Sequence, residues 1–236
     1  MTIEYDNIIY ELIDDPDNNQ NKIVKIIKCL SNNPQITIPG RISFPVSNGN
    51  VSSIDFEVQE ISDCAFKDCE NLKEIKFEDP NNIKVIGISA FENCISLKSF
   101  YLPPYIKKIS SRCFFNCIRL KKVKSENSQK PIIETIEESA FENCTNLQSI
   151  EGINIEKTET ISKFAFKKCF MLSIVALQNH TDKKGRFKSF LERKTKRKIV
   201  INSNHLKTIE DGAFENCSNV TITGKMLSYS DGLPVL

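Results

Sequence analysis

One apolar motif recurs six times along the chain, and this recurrence limits the fold more than any other feature of the sequence. Its skeleton is I-x-x-x-A-F-x-x-C-x-x-L-x-x-I, and its clearest copy runs from Ile86 to Phe100. The cysteine of the motif stands at positions 69, 94, 117, 144, 169 and 217. The first four intervals are 25, 23, 27 and 25 residues, and the last is 48, close to two steps. Self-similarity at about 20–30 residues is typical of a solenoid.

A single copy of the motif is too small to fold alone, because its few apolar side chains cannot offset the entropy of ordering a whole repeat. Copies must therefore stack, so that each repeat buries both of its broad sides. Ser89 and Ser139 each precede Ala-Phe-Glu, and this Ser-x-x-Glu spacing predicts a capping box at the start of a helical turn. Asn precedes the cysteine at positions 93, 116, 143 and 216, where its tolerance of the left-handed conformation would end that turn.

The L-x-x-I segment after each cysteine alternates as a short strand does. Equivalent strands of successive repeats are expected to align in a parallel ladder along one face. The predicted fold class is therefore α/β. It is a repeat solenoid with short parallel strands on one face, short helical turns on the other, and an N-terminal cap of the β-hairpin type.

Residues 1–57 precede the clear repeats and are predicted to be N-terminal capping strands. Two β-branched runs, Ile8–Ile13 and Lys22–Leu30, flank a dense turn signal and predict a hairpin. Ile36-Thr-Ile-Pro39 then resembles the end of a repeat strand. The role of this segment would be to cover the apolar side of the first repeat.

Residues 58–224 are predicted to form the repeat solenoid, with a degenerate basic repeat at 178–201 where the 48-residue interval falls. Lys194 and Arg197 would occupy inward positions there, so the alternative is that this segment bulges out or forms a longer helix. Residues 225–236 are predicted to be a tail or a weak cap. A poorly capped end leaves strand edges free, which favours end-to-end association of copies.

The motif is similar to that of a known family. The segments Cys69-Glu-Asn-Leu-Lys-Glu-Ile-Lys-Phe and Cys94-Ile-Ser-Leu-Lys-Ser-Phe-Tyr-Leu-Pro103, each joined to Ala-Phe-x-x-Cys, resemble the BspA-like leucine-rich repeat family. The resemblance covers Val58 to Thr223. It implies a curved solenoid used for binding, often at cell surfaces, and it implies no catalytic residues.

The nine cysteines are predicted to be mainly structural. Six of them share one motif position and would form a buried column of thiols, packed as small apolar groups. Two alternatives are a disulfide framework, although stacked equivalent side chains point in parallel, and a metal site, although no C-x-x-C occurs. Cys113 is predicted to lie in the core, and Cys29 and Cys64 nearer the surface. No cofactor and no metal are predicted.

Strand residues alternate in direction, so the outward positions of the ladder define the predicted binding surface. If Leu72, Ile75 and Phe77 face inward, their neighbours Glu74 and Lys76 face out. The predicted partner-binding residues are Glu74, Lys76, Ser99, Tyr101, Lys122, Lys124, Ser149, Glu151 and Ile174. The alternative is a solvated face with one aromatic residue that has no special role.

The segment from His180 to Val200 is strongly basic, with nine Lys or Arg against two acidic residues. The basic residues are Lys183, Lys184, Arg186, Lys188, Arg193, Lys194, Lys196, Arg197 and Lys198. Such a cluster is typical of a surface that binds nucleic acid, another anionic polymer or anionic lipid. The alternatives are a solvated charged helix and a nuclear-import patch.

The sequence as a whole predicts a non-enzymatic protein-binding module, extended by the family resemblance to adhesion or host-surface interaction. Motifs for hydrolase, phosphate-binding, dinucleotide or zinc-protease chemistry do not occur. The alternative function is an intracellular scaffold that uses the basic segment. Neither a signal peptide nor a transmembrane stretch is visible, so a cytoplasmic location is the default expectation, whereas the family resemblance implies the cell surface.

The scaffold hypothesis makes a prediction about the basic segment. If this segment binds anionic polymers, the chain should be retained on heparin and released by salt. Binding of lysines to the polymer releases its counterions, and added salt opposes that release. Charge reversal of Lys194, Lys196, Arg197 and Lys198 to Glu should abolish that retention. Unchanged elution of the fourfold variant would reject the scaffold hypothesis.

Overall fold

The structure is a computed structural model that describes residues 1–15, 18–45, 53–125, 131–151, 157–177, 199–202 and 206–223. Within these ranges the chain forms eighteen strands connected mainly by tight turns. The first six are β1 (Thr2–Tyr5), β2 (Ile8–Asp15), β3 (Asn18–Cys29), β4 (Gln35–Ile38), β5 (Arg41–Pro45) and β6 (Ser53–Ile61). The next six are β7 (Glu74–Phe77), β8 (Val85–Ile86), β9 (Ser99–Tyr101), β10 (Lys108–Ile109), β11 (Lys122–Lys124) and β12 (Thr135–Ile136). The last six are β13 (Ser149–Glu151), β14 (Thr160–Ile161), β15 (Ser173–Leu177), β16 (Ile199–Asn202), β17 (Thr208–Ile209) and β18 (Asn219–Thr223).

The N-terminal strands form a mixed sheet in the order β1-β2-β3-β6-β5. β2 and β3 are antiparallel neighbours, so the predicted hairpin is confirmed. Ile8, Tyr10 and Ile26 of this hairpin are buried. β3 then runs parallel to β6, and β6 runs parallel to β8, with Ile61 beside Ile86. The hairpin sheet therefore continues into the first repeats.

From the Cys94 repeat onward, the first isoleucine of each motif lies in a two-residue strand, which the sequence pattern did not predict. β10, β12, β14 and β17 form one parallel sheet. Ile109, Ile136, Ile161 and Ile209 stand in register within it. Successive repeats are thus joined along a second line of strands, in addition to the strands that end each motif.

The strands that end each motif run parallel, as predicted, but they form separate sheets. β4 pairs with β7, β11 lies between β9 and β13, and β15 lies between β16 and β18. The prediction of one continuous ladder is therefore wrong for the described strands. The division between β7 and β9 falls within the surface that the sequence assigned to ligand binding.

The segment that carries Ala-Phe is a ribbon of tight turns, so the predicted helical turns are wrong. In the Cys94 repeat the N–H groups of Glu92 and Cys94 donate to the carbonyl three residues earlier, at 3.1 and 3.2 Å. The intervening N–H groups of Ser89, Phe91 and Asn93 donate to the next repeat instead, each at 2.9 Å. An α-helix needs every N–H for a bond to the fourth residue before it, so helix formation would remove the bonds that join the repeats.

Two residues in each repeat adopt the left-handed conformation. The predicted asparagines at positions 93, 116, 143 and 216 have φ angles of 59–62°, which confirms that part of the prediction. The position two residues before the phenylalanine is also left-handed, and Ser89 and Ser139 there have a φ of 53°. A helix cap requires an extended φ, so these serines are not the caps that were predicted. Ser139 Oγ donates to Glu142 Oε2 at 2.7 Å.

Phenylalanine rings and thiols form two internal columns. From Phe66 to Phe214 the rings of neighbouring repeats stack with centroids 5.2–5.6 Å apart and interplanar angles of 4–12°. Each motif thiol from Cys94 onward donates to the carbonyl of the motif phenylalanine in the preceding repeat, at 3.0–3.1 Å. All nine cysteines are free, and burial raises the pKa of the Cys117 thiol well above its usual value. The predicted thiol column is confirmed, with half-buried ends at Cys69 and Cys217.

The repeats of Cys169 and Cys217 are direct neighbours, although 48 residues separate their cysteines. The Phe166 and Phe214 rings stack at 5.5 Å, and the Phe166 N–H donates to the Ala213 carbonyl at 2.8 Å. Residues 178–198, most of the predicted degenerate repeat, lie outside the described residues. β16 follows them and pairs with the edge of β15 opposite to β18.

A nearly buried carboxylate stabilises the turn ribbon. Glu92 has a side chain only 6% exposed and accepts two bonds from the Arg112 guanidinium, at 2.9 and 3.0 Å. Lys67 lies 3.3 Å from the same carboxylate on its other side. Arg112 foremost, and then Ser89 and Lys67, lower the pKa of Glu92 to about 2. The three charged side chains come from three successive repeats, so this cluster links them.

The left-handed positions predict a specific pattern of stability. Asn143→Val should lower the free energy of unfolding by about 1–2 kcal/mol, because a β-branched residue is strained at a φ of 62°. Asn143→Gly should stay within about 0.5 kcal/mol of the parent, since glycine adopts this conformation without strain. Urea denaturation followed by circular dichroism measures both. Equal losses would show that the asparagine side chain, and not the backbone conformation, is required.

The Glu92 cluster predicts how stability depends on pH. The folded pKa of about 2 lies below the reference value of 4.5, so the stabilisation is present above about pH 5 and is lost as the pH falls from 4.5 towards 2. Glu92→Gln should remove about 2–3 kcal/mol at pH 7 and flatten the stability profile in that window. Glu70→Gln, at an exposed position, is the matched control. A parent-like profile for Glu92→Gln would contradict the assignment.

Candidate binding surface on the strand face

The outward side chains of β4, β7, β9, β11 and β13 form one surface, called here the strand face. Its members are Gln35, Thr37, Glu74, Lys76, Ser99, Tyr101, Lys122, Lys124, Ser149 and Glu151. They are exposed or half-buried, whereas Ile75, Phe100 and Val123 between them are fully buried and Ile150 is half-buried. The alternation on which the sequence prediction depended is therefore present in the structure.

The strand pairing places equivalent residues of successive repeats side by side. Ser99, Lys122 and Ser149 form one row across β9, β11 and β13. Tyr101, Lys124 and Glu151 form the next row, two residues further along the strands. Of the predicted binding residues, six are thus brought together in one sheet.

β4 adds two residues that the sequence prediction did not include. Gln35 stands beside Glu74, and Thr37 stands beside Lys76. The signal was present, because Ile36-Thr-Ile-Pro39 resembles the end of a repeat strand and its polar neighbours would alternate outward. Ile174, another predicted member, belongs to β15 by its backbone, but its side chain lies outside the described residues.

The carboxylates of the strand face are already engaged within it. Glu151 Oε1 accepts a bond from Ser149 Oγ at 2.6 Å and lies 3.1 Å from Lys122 Nζ. The Ser149 hydroxyl, followed by Lys122, holds the pKa of Glu151 below its usual value. At the other end Glu74 accepts a bond from Gln35 Nε2 at 3.2 Å and lies 3.5 Å from Lys76 Nζ.

A cleft of about 310 Å³ opens where the strand face is divided between β7 and β9. The Phe77 and Phe100 rings meet edge to face below this division, with centroids 6.1 Å apart. The apolar lining of the cleft consists of Ile75, Phe77, Pro80, Leu102 and Pro104. Its polar lining consists of Glu74, Lys76 and Tyr101. Lys124 Nζ lies 5.8 Å from the centre of the Tyr101 ring, a cation–π contact.

Three lysines, called here the lysine column, form a further row that the sequence prediction missed. Lys73, Lys98 and Lys121 each follow the leucine of their motif and are exposed. The Lys98 N–H donates to the Lys73 carbonyl at 3.2 Å, and the Lys121 N–H donates to the Lys98 carbonyl at 2.9 Å. The repeated Leu-Lys pair was the signal that could have revealed the column.

The predicted basic patch, Lys183 to Lys198, lies wholly outside the described residues and stays a sequence prediction. In the part of the chain that the structure describes, no group of three or more His, Cys, Asp or Glu side chains could hold a metal ion. The same part contains no helix long and apolar enough to cross a membrane.

Parallel strands stacked at the period of a short apolar motif define a repeat protein of the leucine-rich class. The chain matches the BspA type leucine rich repeat region over residues 41–150 and 129–227, with six copies. These ranges cover well over half of its length, so the chain belongs to the BspA-type leucine-rich repeat family. No curated protein matches it.

Similar solved structures are bacterial leucine-rich repeat proteins. A leucine-rich repeat protein from Eubacterium ventriosum is 23% identical with a TM-score of 0.48, and the match covers 94% of this chain and 56% of that one. The T. pallidum leucine-rich repeat protein TpLRR is 19% identical with a TM-score of 0.43, with 90% and 78% covered. The pneumococcal vaccine antigen PcpA is 15% identical with a TM-score of 0.33, with 97% and 89% covered. The chain thus spans little more than half the length of the Eubacterium protein.

Proposed function

We propose that this chain is a non-enzymatic protein-binding module whose partner contacts the strand face. The observation that carries the proposal is the row formed by the half-buried Tyr101 and Lys124 and their neighbours, beside an open cleft with both apolar and polar lining residues. Tyrosine offers a large contact area at a low entropic cost, and aromatic residues are enriched at the centre of protein interfaces. Membership of a leucine-rich repeat family supports a role in protein interaction.

The proposal includes the overall architecture and the location of the partner. Residues 58–224 would form one curved solenoid, with residues 1–57 covering its first repeat and residues 225–236 as a tail or weak cap. The stacked phenylalanine rings and the bonds between repeats support such a continuous stack. The family resemblance extends the role to adhesion at a cell surface. Association of copies end to end belongs to the same proposal.

The arrangement of polar groups supports binding over catalysis. On the strand face Glu74 and Glu151 are paired with Lys76 and Lys122, so these groups neutralise each other along a surface. General acid–base catalysis instead needs groups that converge on one reacting atom. The scaffold hypothesis depends on the basic segment, Lys183 to Lys198, and is tested separately by retention on heparin.

Selection from a random peptide library displayed on phage tests the proposal. Peptides enriched on the purified chain should lose at least about tenfold in affinity on a Tyr101→Ala, Lys124→Glu double variant, because hot-spot residues dominate interfaces. The control is Tyr5→Ala, Lys28→Glu, which makes the same chemical changes at exposed positions on the N-terminal strands. Clones that bind both variants equally well would place the binding surface elsewhere and refute the proposal.

A further inference from the structure

The lysine column concentrates positive charge at the edge of the strand face. Backbone hydrogen bonds connect Lys73, Lys98 and Lys121 in sequence, and neighbouring strands lie about 4.8 Å apart. The backbones of the three lysines therefore follow one another along a strip about 10 Å long. No ion pair or side-chain hydrogen bond joins any of the three to another described residue. Like charges at this spacing repel one another and favour an anionic ligand.

The two carboxylates of the strand face do not neutralise the column. Glu74 is engaged by Gln35 and Lys76, and Glu151 is engaged by Ser149 and Lys122, as described above. The positive charge of the column is thus additional to the paired charges of the strand face. A ligand that approaches this edge meets unpaired ammonium groups.

The cleft lies near the lysine column and favours a ligand that carries an apolar group as well as negative charge. Lys98 directly precedes β9 and stands three residues before Tyr101, which lines the cleft, so about 10 Å of extended chain separates them. Lys73 directly precedes Glu74, the first residue of β7 and part of the lining of the same cleft. One ligand can therefore reach both features, provided that it carries an apolar group and negative charges about 10 Å apart.

We propose that the strand face binds an extended acidic segment of a partner protein, with one apolar side chain in the cleft and carboxylates on the lysine column. This inference rests on the proposed function and names the chemistry of the partner. In an extended segment, side chains on the same face recur about every 7 Å. Two carboxylates two residues apart, with the apolar residue two positions further on, therefore all point to the same side of the segment.

A protein segment fits this surface better than a nucleic acid or an anionic polysaccharide. Both of those polymers carry charge at every unit, so their backbone would meet Glu74 and Glu151 as well as the lysines. They also lack an aliphatic side chain for the space between Ile75, Leu102 and Pro104. A peptide can supply charge at the column and an apolar group at the cleft.

The test uses a fluorescein-labelled peptide, Glu-Ser-Glu-Ser-Leu-Ser-Glu-Ser-Glu, which offers the acidic pair on either side of the anchor and on the same face of an extended chain. Fluorescence anisotropy with the full chain should show saturable binding at moderate ionic strength. Replacing every Glu by Gln, or the Leu by Ser, should each weaken binding by about tenfold, since the first removes the ion pairs and the second the buried apolar group.

A charge-reversal pair of protein variants locates the binding. Lys73→Glu, Lys98→Glu, Lys121→Glu should weaken binding of the peptide by at least about tenfold. The control Lys28→Glu, Lys84→Glu, Lys107→Glu makes the same change in net charge at exposed lysines outside the strand face and the column. It should keep parent-like affinity. Thermal melts of both variants establish that each is folded.

Three results would overturn the inference: equal binding of the Glu and Gln peptides, equal binding by the column variant and its control, or tighter column-dependent binding of heparin or a single-stranded oligonucleotide. The phage selection separates this failure from failure of the proposed function. If selected peptides are neutral or basic but still need Tyr101 and Lys124, only the acidic partner is refuted. If no selected peptide needs the strand face, the proposed function is refuted as well.

Discussion

The repeats are held together by a backbone that points every second amide away from its own turn. Left-handed residues occur at two fixed positions four residues apart, Ser89 and Asn93 in one repeat. The N–H groups of Ser89, Phe91 and Asn93 therefore reach the carbonyls of the next repeat. These bonds place the phenylalanine rings in register and put each thiol against a carbonyl of the repeat before it. Each repeat thus needs its neighbour to satisfy its own backbone.

Backbone hydrogen bonds between repeats are continuous on the turn side of the stack but interrupted on the strand side. This interruption creates the candidate site. On the turn side, bonds between repeats run without a break from Cys64 to Glu215. On the strand side, β7 pairs with β4, and β9 pairs with β11. The rings below the division still touch, so the core remains closed while the surface opens into a cleft. A regular core therefore supports an irregular surface, and the irregularity provides room for a ligand.

The sequence predicted those features that depend on the chemistry of single residues or on strict alternation. The left-handed asparagines, the buried thiols and the outward positions of the strand face all belong to this group. The second left-handed position was not predictable from composition, because Ser89, Arg112 and Phe164 have no preference for that conformation. Only Gly212, at the same place in the last repeat, signals it. Helical turns were predicted because the sequence of a single repeat does not indicate that its N–H groups donate to the neighbouring repeat. Those hydrogen bonds replace the ones that a helix would form.

The division of the strand side and the cleft could not be derived from the motif, because they depend on how the loops between strands pack. The Phe77 and Phe100 rings, for example, meet edge to face, and this geometry depends on all the residues packed around them. The lysine column was visible as a repeated Leu-Lys pair, but its meaning required the strand spacing and the knowledge that its charges are unpaired.

The reactivity of the thiols in the column reports whether neighbouring repeats remain stacked. A repeat cannot separate from its neighbour without uncovering a sulfur that otherwise contacts a carbonyl. Stacked repeats open most easily at their ends, so Cys69 and Cys217, both half-buried, would meet an alkylating reagent before Cys117 and Cys144. The order in which the cysteines are alkylated therefore reports from which end, and how far, the molecule frays.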